Sequence, residues 1–374
     1  MSEYSQRHDG VYVSVIIPIY NAEPFLEQAL ESLHLQKYAS IEFICVNDGS
    51  TDNSLSIMKT YAKKDSRFLV IDKANEGYGA SCNKGIAQAK GKYISIFEPD
   101  DWIEGELYGD LVSYIDSFSH VIDIAKTPYW RITKPDTPEE QKLNCSYHRL
   151  VRPASQPFKI ADDTMLLRHH PSIWTALYRK DFLEAHQISF REYPGAGWAD
   201  NPFLIETLCQ AETIIYLDTP YYCYREETTD KARSFSQGNP LLPFERWQEM
   251  LNIIENLGIT DEGILRAHYS RGFLYVKGII EHVDIQEGTL DSALFAMFKR
   301  MKPDFVFSDP TISPHLKELY AKTLGIPLPK INRFDYYKYL TKQALYVAKN
   351  LGIRNMFSIL ISFLKRRKAR EGRG

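Results

Sequence analysis

Strand-like and helix-like segments alternate through the first 125 residues, and this constrains the fold more than any other feature of the chain. VYVSVIIPI (11–19) is β-branched and almost continuously apolar, as a strand buried on both faces should be. IEFICV (41–46), FLVI (68–71) and KYISIF (92–97) repeat the pattern, and VIDIA (121–125) predicts a fifth strand. Between them lie three predicted helices. The first follows Asn21, a candidate cap, and sets Leu26, Ala29, Leu30 and Leu33 on one face. The others are LSIMKTYAKK (55–64) and ASCNKGIAQA (80–89). Such spacing means βαβ units and a parallel sheet. Ligands of such sheets bind beyond the carboxyl ends of the strands. Those ends are Pro18 to Asn21, Asn47 to Asp52, the segment after Ile71, and Glu98 to Asp101.

Residues 126–170 read as an irregular insertion. Two ordered segments follow (172–190 and 195–208), then strand-like TIIYLD (213–218) and PYYCYR (220–225). The polar stretch 227–240 predicts a domain boundary. Beyond it the pattern is helical at 243–258, 263–283 and 289–301. The expected organisation is an α/β domain over 1–235 and a helical region over 236–374.

A net charge of -3 over 374 residues, with 44% hydrophobic and 25% charged, describes a folded protein without the basic footprint of a nucleic-acid binder. The five cysteines are odd in number and widely spaced, which suits reduced thiols better than disulfides or a zinc site. The N-terminal residues lack a signal-peptide apolar region. The longest apolar run, MFSILISFL (356–364), falls well short of the ~20 residues that span a bilayer. The expectation is a cytoplasmic protein. Residues 353–374 add an apolar helical face and then a Lys/Arg cluster, which suits either the inner face of an anionic membrane or a helix packed on its own domain with a solvated tail.

Three segments carry candidate chemistry. Glu98, Asp100 and Asp101 crowd one strand end, and hard carboxylate oxygens suit Mg²⁺ or Mn²⁺, which also holds phosphate. The alternative is a solvated turn with Asp101 capping a helix near Trp102. Asn47 to Asp52 offers a carboxylate for a base or ribose and Gly49 for close approach, or equally an Asx-turn and helix cap. Asn75 to Gly85 is a glycine-bearing loop entering a helix. Cys82 breaks the G-x-G-x-x-G pattern, so a dinucleotide site fits poorly.

Taken in order, VSVIIPIYNAEPFLEQALESL, ICVNDGSTDNS, NEGYGASCNKGI and YISIFEPDDW resemble the inverting family-2 glycosyltransferases of GT-A fold. IWTALYRKDFL, GWADNPF and PYYCYR resemble that family's acceptor half. The resemblance spans about 11–235, with a donor half near 11–125 and an acceptor half near 170–230. It implies a GT-A type nucleotide-diphospho-sugar transferase fold, a mostly parallel sheet flanked by helices, with the helical region C-terminal to it. Pro18, Tyr20 and Asn21 then lie along the nucleoside of a donor, commonly a UDP-sugar. Asp48 reads the base with Ser50 beside it, and Asn75, Gly77 and Asn83 face the ribose and diphosphate. Asp100 and Asp101 correspond to the metal-binding D-x-D type motif, with Glu98 in place of its usual first Asp. Asp200 corresponds to the catalytic base, and Ala199 replaces the usual Glu beside it. Cys82 stands where many members have Arg, and Lys84 is the nearest basic residue.

The implied reaction is displacement at the anomeric carbon with inversion, assisted by Mn²⁺ or Mg²⁺, with Asp200 taking the acceptor proton. The implied acceptor is a glycan, a lipid-linked glycan or a glycoprotein. A homo-oligomer is left open. Trp174, Trp198, Tyr193 and Tyr78 are candidates to stack on sugar, with Trp198, beside the base, preferred. His169 and His170 receive no role. Two competing readings are a nucleotidyltransferase, although PIYNAEP lacks the basic residue such a loop carries, and a catalytically silent nucleotide-sugar-binding protein.

Overall fold

The computed structural model describes residues 8–226, 239–282 and 287–351. The tail 353–374 and most of the expected boundary segment lie outside the described residues.

Seven strands form the main sheet: β1 (Val13–Ile19), β2 (Ile41–Asp48), β3 (Phe68–Lys73), β4 (Tyr93–Ile96), β6 (Ile124–Lys126), β9 (Ala176–Arg179) and β10 (Ile214–Tyr216). Their order is β10-β6-β9-β4-β1-β2-β3. Strands β1 to β4 are parallel; β9 runs antiparallel between β4 and β6. All residues of β1 and β2 are buried, which accounts for their unbroken apolar runs. One polar cluster sits inside. The Ser14 hydroxyl donates to Glu42 Oε1 (2.6 Å), and the same oxygen accepts Lys90 N (2.7 Å), so the buried carboxylate is satisfied.

Helix α1 (Glu23–His34) buries Leu26, Ala29, Leu30 and Leu33, the predicted face. Its N-cap is Ala22, not Asn21, whose side chain turns instead to the next loop. Helix α2 (Ser54–Lys64) follows β2, and α3 (Tyr78–Gln88) follows β3. Helix α3 lies so close to the sheet that a Cβ on Gly85 would stand 2.3 Å from Ile16 Cγ2. Beyond β4, Trp102–Ile103 is a short strand, β5, and the next helix, α4 (Leu107–Asp116), starts four residues later. Asp101 therefore caps no helix at Trp102.

The segment expected to be irregular contains β7 (Tyr129–Thr133) and β8 (Gln141–Asn144). They join β11 (Tyr222–Glu226) and β5 in a second sheet of order β5-β11-β7-β8. Strand β8 is an edge strand of polar sequence, exposed or half-buried throughout, so no apolar pattern announced it. The predicted fifth strand is displaced C-terminally: Val121 is 60% exposed and pairing begins at Ile124. Helices α5 (Lys180–Ala185) and α6 (Asp200–Gln210) lie between β9 and β10 in the chain.

The chain divides into two compact units, Met1–Arg271 and Gly272–Gly374. The first includes α7 (Leu242–Asn256), whose Trp247 stacks on His268 (4.7 Å between ring centroids) and donates to its carbonyl (3.0 Å). His268 belongs to α8 (Glu262–His282), and the division falls within that helix. In the second unit α9 (Glu287–Phe298), α10 (Pro303–Ser308) and α11 (Pro314–Leu324) gather Phe298, Phe307 and Tyr320 into one aromatic core. Helix α12 (Arg333–Leu351) follows. Among the described residues no helix is long and apolar enough to cross a membrane.

Candidate active site

The carboxyl ends of β1, β2, β3 and β4 lie along one edge of the main sheet, as parallel strands require. The loop after β1 and the loop after β2 hold each other. Asn21, at φ 48°, accepts Thr51 N through Oδ1 (2.8 Å), and Ser50 Oγ accepts Asn21 N (3.1 Å). The Asx-turn reading of this segment holds at Asp52, whose Oδ1 accepts Ser54 N (3.0 Å), while Asn47 Oδ1 accepts Ser50 N (3.2 Å). Pro18 is buried inside β1, whereas Tyr20 is 53% exposed above the sheet edge.

Asp48 ends β2 and is 3% exposed. Its Oδ1 accepts Glu76 N and its Oδ2 accepts Gly77 N (both 2.9 Å), and Lys73 forms an ion pair with it. Burial pushes the lysine down, but its bonds to Asp48 and Glu76 outweigh this and lift it above its ordinary range. A carboxylate accepts about four hydrogen bonds, so these contacts shape the 74–77 loop and leave Oδ2 capacity for another donor. Gly77 has φ 95°, and a Cβ there would meet the Tyr193 carbonyl at 2.8 Å, which only glycine tolerates. Asn75 is exposed at the loop tip. Asn83 is turned elsewhere: it donates to Phe190 O (2.9 Å) and Glu192 Oε1 (3.0 Å) and accepts Phe190 N (2.9 Å). Its observed contacts tie α3 to the segment after α5. Lys84 is exposed, and Cys82 is buried, where desolvation and the charges of Glu98 and Asp48 hold it as a neutral thiol.

The acidic segment has two different environments. Glu98 accepts the Tyr78 hydroxyl (2.6 Å). Burial, reinforced by the charges of Asp100 and Asp200, pushes it up to about 8 despite that bond. Asp200, the first residue of α6, is also pushed up by burial, opposed by Arg271 and by the Asn201 amide. The Tyr224 hydroxyl feels both Asp100 and Asp200. Carboxylates about a hundred residues apart in sequence thus share one electrostatic neighbourhood. Asp200 is not an N-cap, since Ala199 precedes it in helical conformation.

Asp101 faces the other way. It is 2% exposed; its Oδ2 accepts the Tyr222 hydroxyl (2.8 Å) and its Oδ1 accepts Arg225 N (2.7 Å). Tyr222 in turn accepts Glu98 N (3.1 Å). Arg225 donates Nε to the Asp100 carbonyl (2.9 Å) and Nη2 to Gln28 (2.7 Å), between the rings of Phe25 and Trp102. Strand β11 therefore grips the acidic turn by both its backbone and its side chains.

Glu98 and Asp100 fit a divalent cation best: hard oxygens, half-buried, in a region where negative charges raise one another. Both Asp101 oxygens already have donors. Among the described residues no group of three or more His, Cys, Asp or Glu side chains is arranged to hold an ion by itself. A cation here would therefore complete its shell with ligand or water oxygens, as Mg²⁺ commonly does.

Residues 14–186 match the model of glycosyl transferase family 2. This stretch is a glycosyl transferase family 2 domain. The chain that carries the family-2 domain is 32% identical over 218 residues to the uncharacterized glycosyltransferase EpsJ of Bacillus subtilis, covering 57% of this chain and 61% of EpsJ. It is 33% identical over 228 residues to the putative glycosyltransferase EpsH of the same strain, covering 57% and 60%. The chain thus spans about three fifths of the length of these relatives. The crystal structure of S. aureus TarS 1-349 has the same GT-A fold, with a TM-score of 0.66 at 21% identity over 84% of this chain and 87% of that one. TarS has also been solved with UDP and with UDP-GlcNAc.

Of the candidate stacking residues in the family-2 domain, Trp174 is a packing residue. It is 4% exposed, stacked between Tyr222 and Tyr224 at 4.1 and 5.3 Å. Just beyond that domain, Tyr193 bonds Glu249 and lies under Arg246. Trp198, at φ 57°, immediately precedes the helix-capping Ala199. Several residues near the acids were not singled out by sequence: Tyr222, Tyr224, Arg225, Asn201 and Arg271. His170 contacts Trp174 and Tyr224 and keeps an exposed edge. Burial and the charges of Arg271, Lys126 and Arg131 hold it down at about 3, a neutral imidazole at pH 7. The PYYCYR run was itself a weak signal for the β11 residues, since aromatic and basic residues alternate along it.

Proposed function

We propose that this protein is an inverting glycosyltransferase that moves a hexose or N-acetylhexosamine from a UDP-sugar to a hydroxyl of a glycan, lipid-linked glycan or glycoprotein. The observation that carries the reading is the convergence of Asp200 on Glu98 and Asp100 at the carboxyl edge of the sheet, inside or beside the family-2 domain. The TarS complexes with UDP and UDP-GlcNAc support a uridine donor.

In this reading Tyr20, Asn21 and Ser50, with Pro18 beneath them, border the nucleoside. Asp48 offers Oδ2 to the base. Asn75 and Gly77 face the ribose and diphosphate, and Asn83 fixes the helix behind them. Asp100, with Glu98, would hold Mn²⁺ or Mg²⁺; bound there, the cation neutralises charge on the departing diphosphate as a Lewis acid. Asp101 orients that turn from behind through Tyr222 and Arg225. The acceptor enters on the side of Trp198 and Asp200. The Asp200 carboxylate accepts the hydroxyl proton as the oxygen forms its bond to the anomeric carbon, and the bond to the diphosphate oxygen breaks on the opposite face. One base and one displacement give inversion. Catalysis in this reading belongs to residues 1–235, and residues 236–374 extend it with helices.

The test is release of UDP or GDP, with Mn²⁺, from a panel of UDP-glucose, UDP-galactose, UDP-N-acetylglucosamine, UDP-N-acetylgalactosamine and GDP-mannose. A UDP-sugar should be consumed, and Asp200→Asn should slow release about a hundredfold or more while UDP still binds. Near-wild-type turnover by D200N would remove Asp200 from the mechanism.

A further inference from the structure

Asp200 and its neighbour Asn201 form part of a hydrogen-bonded chain that runs into a buried cation. Asn201 Nδ2 donates to Asp200 Oδ1 (3.1 Å), and Asn201 Oδ1 accepts Nη1 of Arg271 (3.1 Å). A guanidinium can only donate, so it obliges the amide to turn its oxygen toward Arg271 and its NH₂ toward Asp200. The orientation of the amide is thus fixed by the chemistry of its partners. Arg271 is 3% exposed and held from two further directions, donating Nε to Leu167 O (2.9 Å) and Nη2 to His169 O. It cannot swing away without stranding buried carbonyls.

We propose that Arg271 is a positioning residue for the acceptor-activating base: through the Asn201 amide it aims the Asp200 carboxylate and supplies its buried counter-charge. This rests on the reading of Asp200 as the base. Among the described residues, Glu98 in the turn after β4, Tyr78 on α3, Tyr178 on β9 and Tyr224 on β11 also feel the Asp200 charge, with Asp100 in the same neighbourhood. None of these is a cation. Burial drives the carboxylate toward protonation, and the Arg271 charge is the largest influence opposing it. An arginine suits this task because it stays charged when buried. Burial, reinforced by the Arg271 charge, keeps His169 and His170 neutral, so the two imidazoles add no competing cation. The catalytic machinery then reaches beyond residue 235, to the last residue of the first compact unit.

Two measurements test this on the full chain. The first follows the Asp200 carboxyl by ¹³C NMR of aspartate-labelled protein, the resonance being assigned by its loss in D200N. Its midpoint should rise by about one pH unit or more in Arg271→Met and stay near wild type in Arg271→Lys. The second is the pH profile of UDP release from the UDP-sugar consumed fastest in the panel above. Asn201→Ala retains Arg271 but breaks the chain, so kcat should fall about tenfold or more with donor KM within about twofold. R271M should also move the acid limb of kcat upward by about a unit. A folded R271M with an unmoved carboxyl midpoint would overturn the counter-charge. Should R271M not fold, an N201A enzyme with wild-type kcat overturns the proposal. D200N that still turns over sinks the base reading instead, a distinct outcome.

Discussion

Removing one oxygen atom, the hydroxyl of Tyr222, should loosen the acidic turn. The hydroxyl is fully buried, donates to Asp101 Oδ2 at 2.8 Å and accepts Glu98 N at 3.1 Å. Tyr222→Phe keeps the ring and its stacking on Trp174 but leaves one carboxylate oxygen and one N–H without these partners. A hydrogen bond to a charged group is worth about 1.5–3 kcal/mol and a neutral one about 0.5–1.5, so the loss is about 2–4 kcal/mol. At about 2–4 °C per kcal/mol for a domain of 150–250 residues, Tm should fall by roughly 5 °C or more. All five tryptophans lie in the first compact unit, so their fluorescence reports its unfolding. The same variant should weaken Mn²⁺-dependent UDP binding, because the Glu98 backbone loses its anchor. A Tm within about 1 °C of wild type, with unchanged UDP affinity, would refute the reasoning, since both buried groups would then have found replacements at no cost.

Gly77→Ala should raise donor KM about tenfold, because a left-handed φ with a Cβ 2.8 Å from the Tyr193 carbonyl costs about 1–3 kcal/mol and moves the loop; an unchanged KM by initial rates speaks against it. Acid should destabilise the first unit through His169, which burial and the charges of Arg271 and Arg168 hold down at about 4. Because its folded value is depressed, the stability it contributes is present above the unfolded value of about 6.5 and is lost as pH falls through about 4. The fall in Tm between pH 6.5 and 4 should therefore be smaller in His169→Gln, and parallel curves for the two proteins would contradict this.

How much of this was legible in the chain depends on the range of each interaction. Strands β1 to β4 announced themselves because every residue of β1 and β2 is buried, and the face of α1 was readable at Leu26, Ala29, Leu30 and Leu33. The order of Asp48, Glu98 to Asp101 and Asp200 named the candidate site, and the fold brings Glu98, Asp100 and Asp200 into one electrostatic neighbourhood. Their partners were not legible, because pairing across long separations leaves no local period. Asp101 bonds residues 121 and 124 positions away. Without Tyr222 and Arg225 in view, Asp101 read as a helix cap or an open ligand. Asn83 read as a donor contact because sequence does not reveal that its amide faces Phe190 and Glu192. Strand β8 was missed because an exposed, polar edge has no apolar alternation to detect.

The hold of Asn83 and Gly77 on the 190–195 segment bears on how the site is acquired. By residue 186, where the family match ends, β1 to β4, β6 and β9 have all been made. Yet the groups that set Asn83, Gly77 and Asp101 arrive only with residues 190–195 and 222–225. A chain shortened there could pair β1 to β4, β6 and β9 and still leave those loops unset. The loops at the sheet edge are thus not a portable module: their geometry is completed by residues far downstream of the strands that carry them.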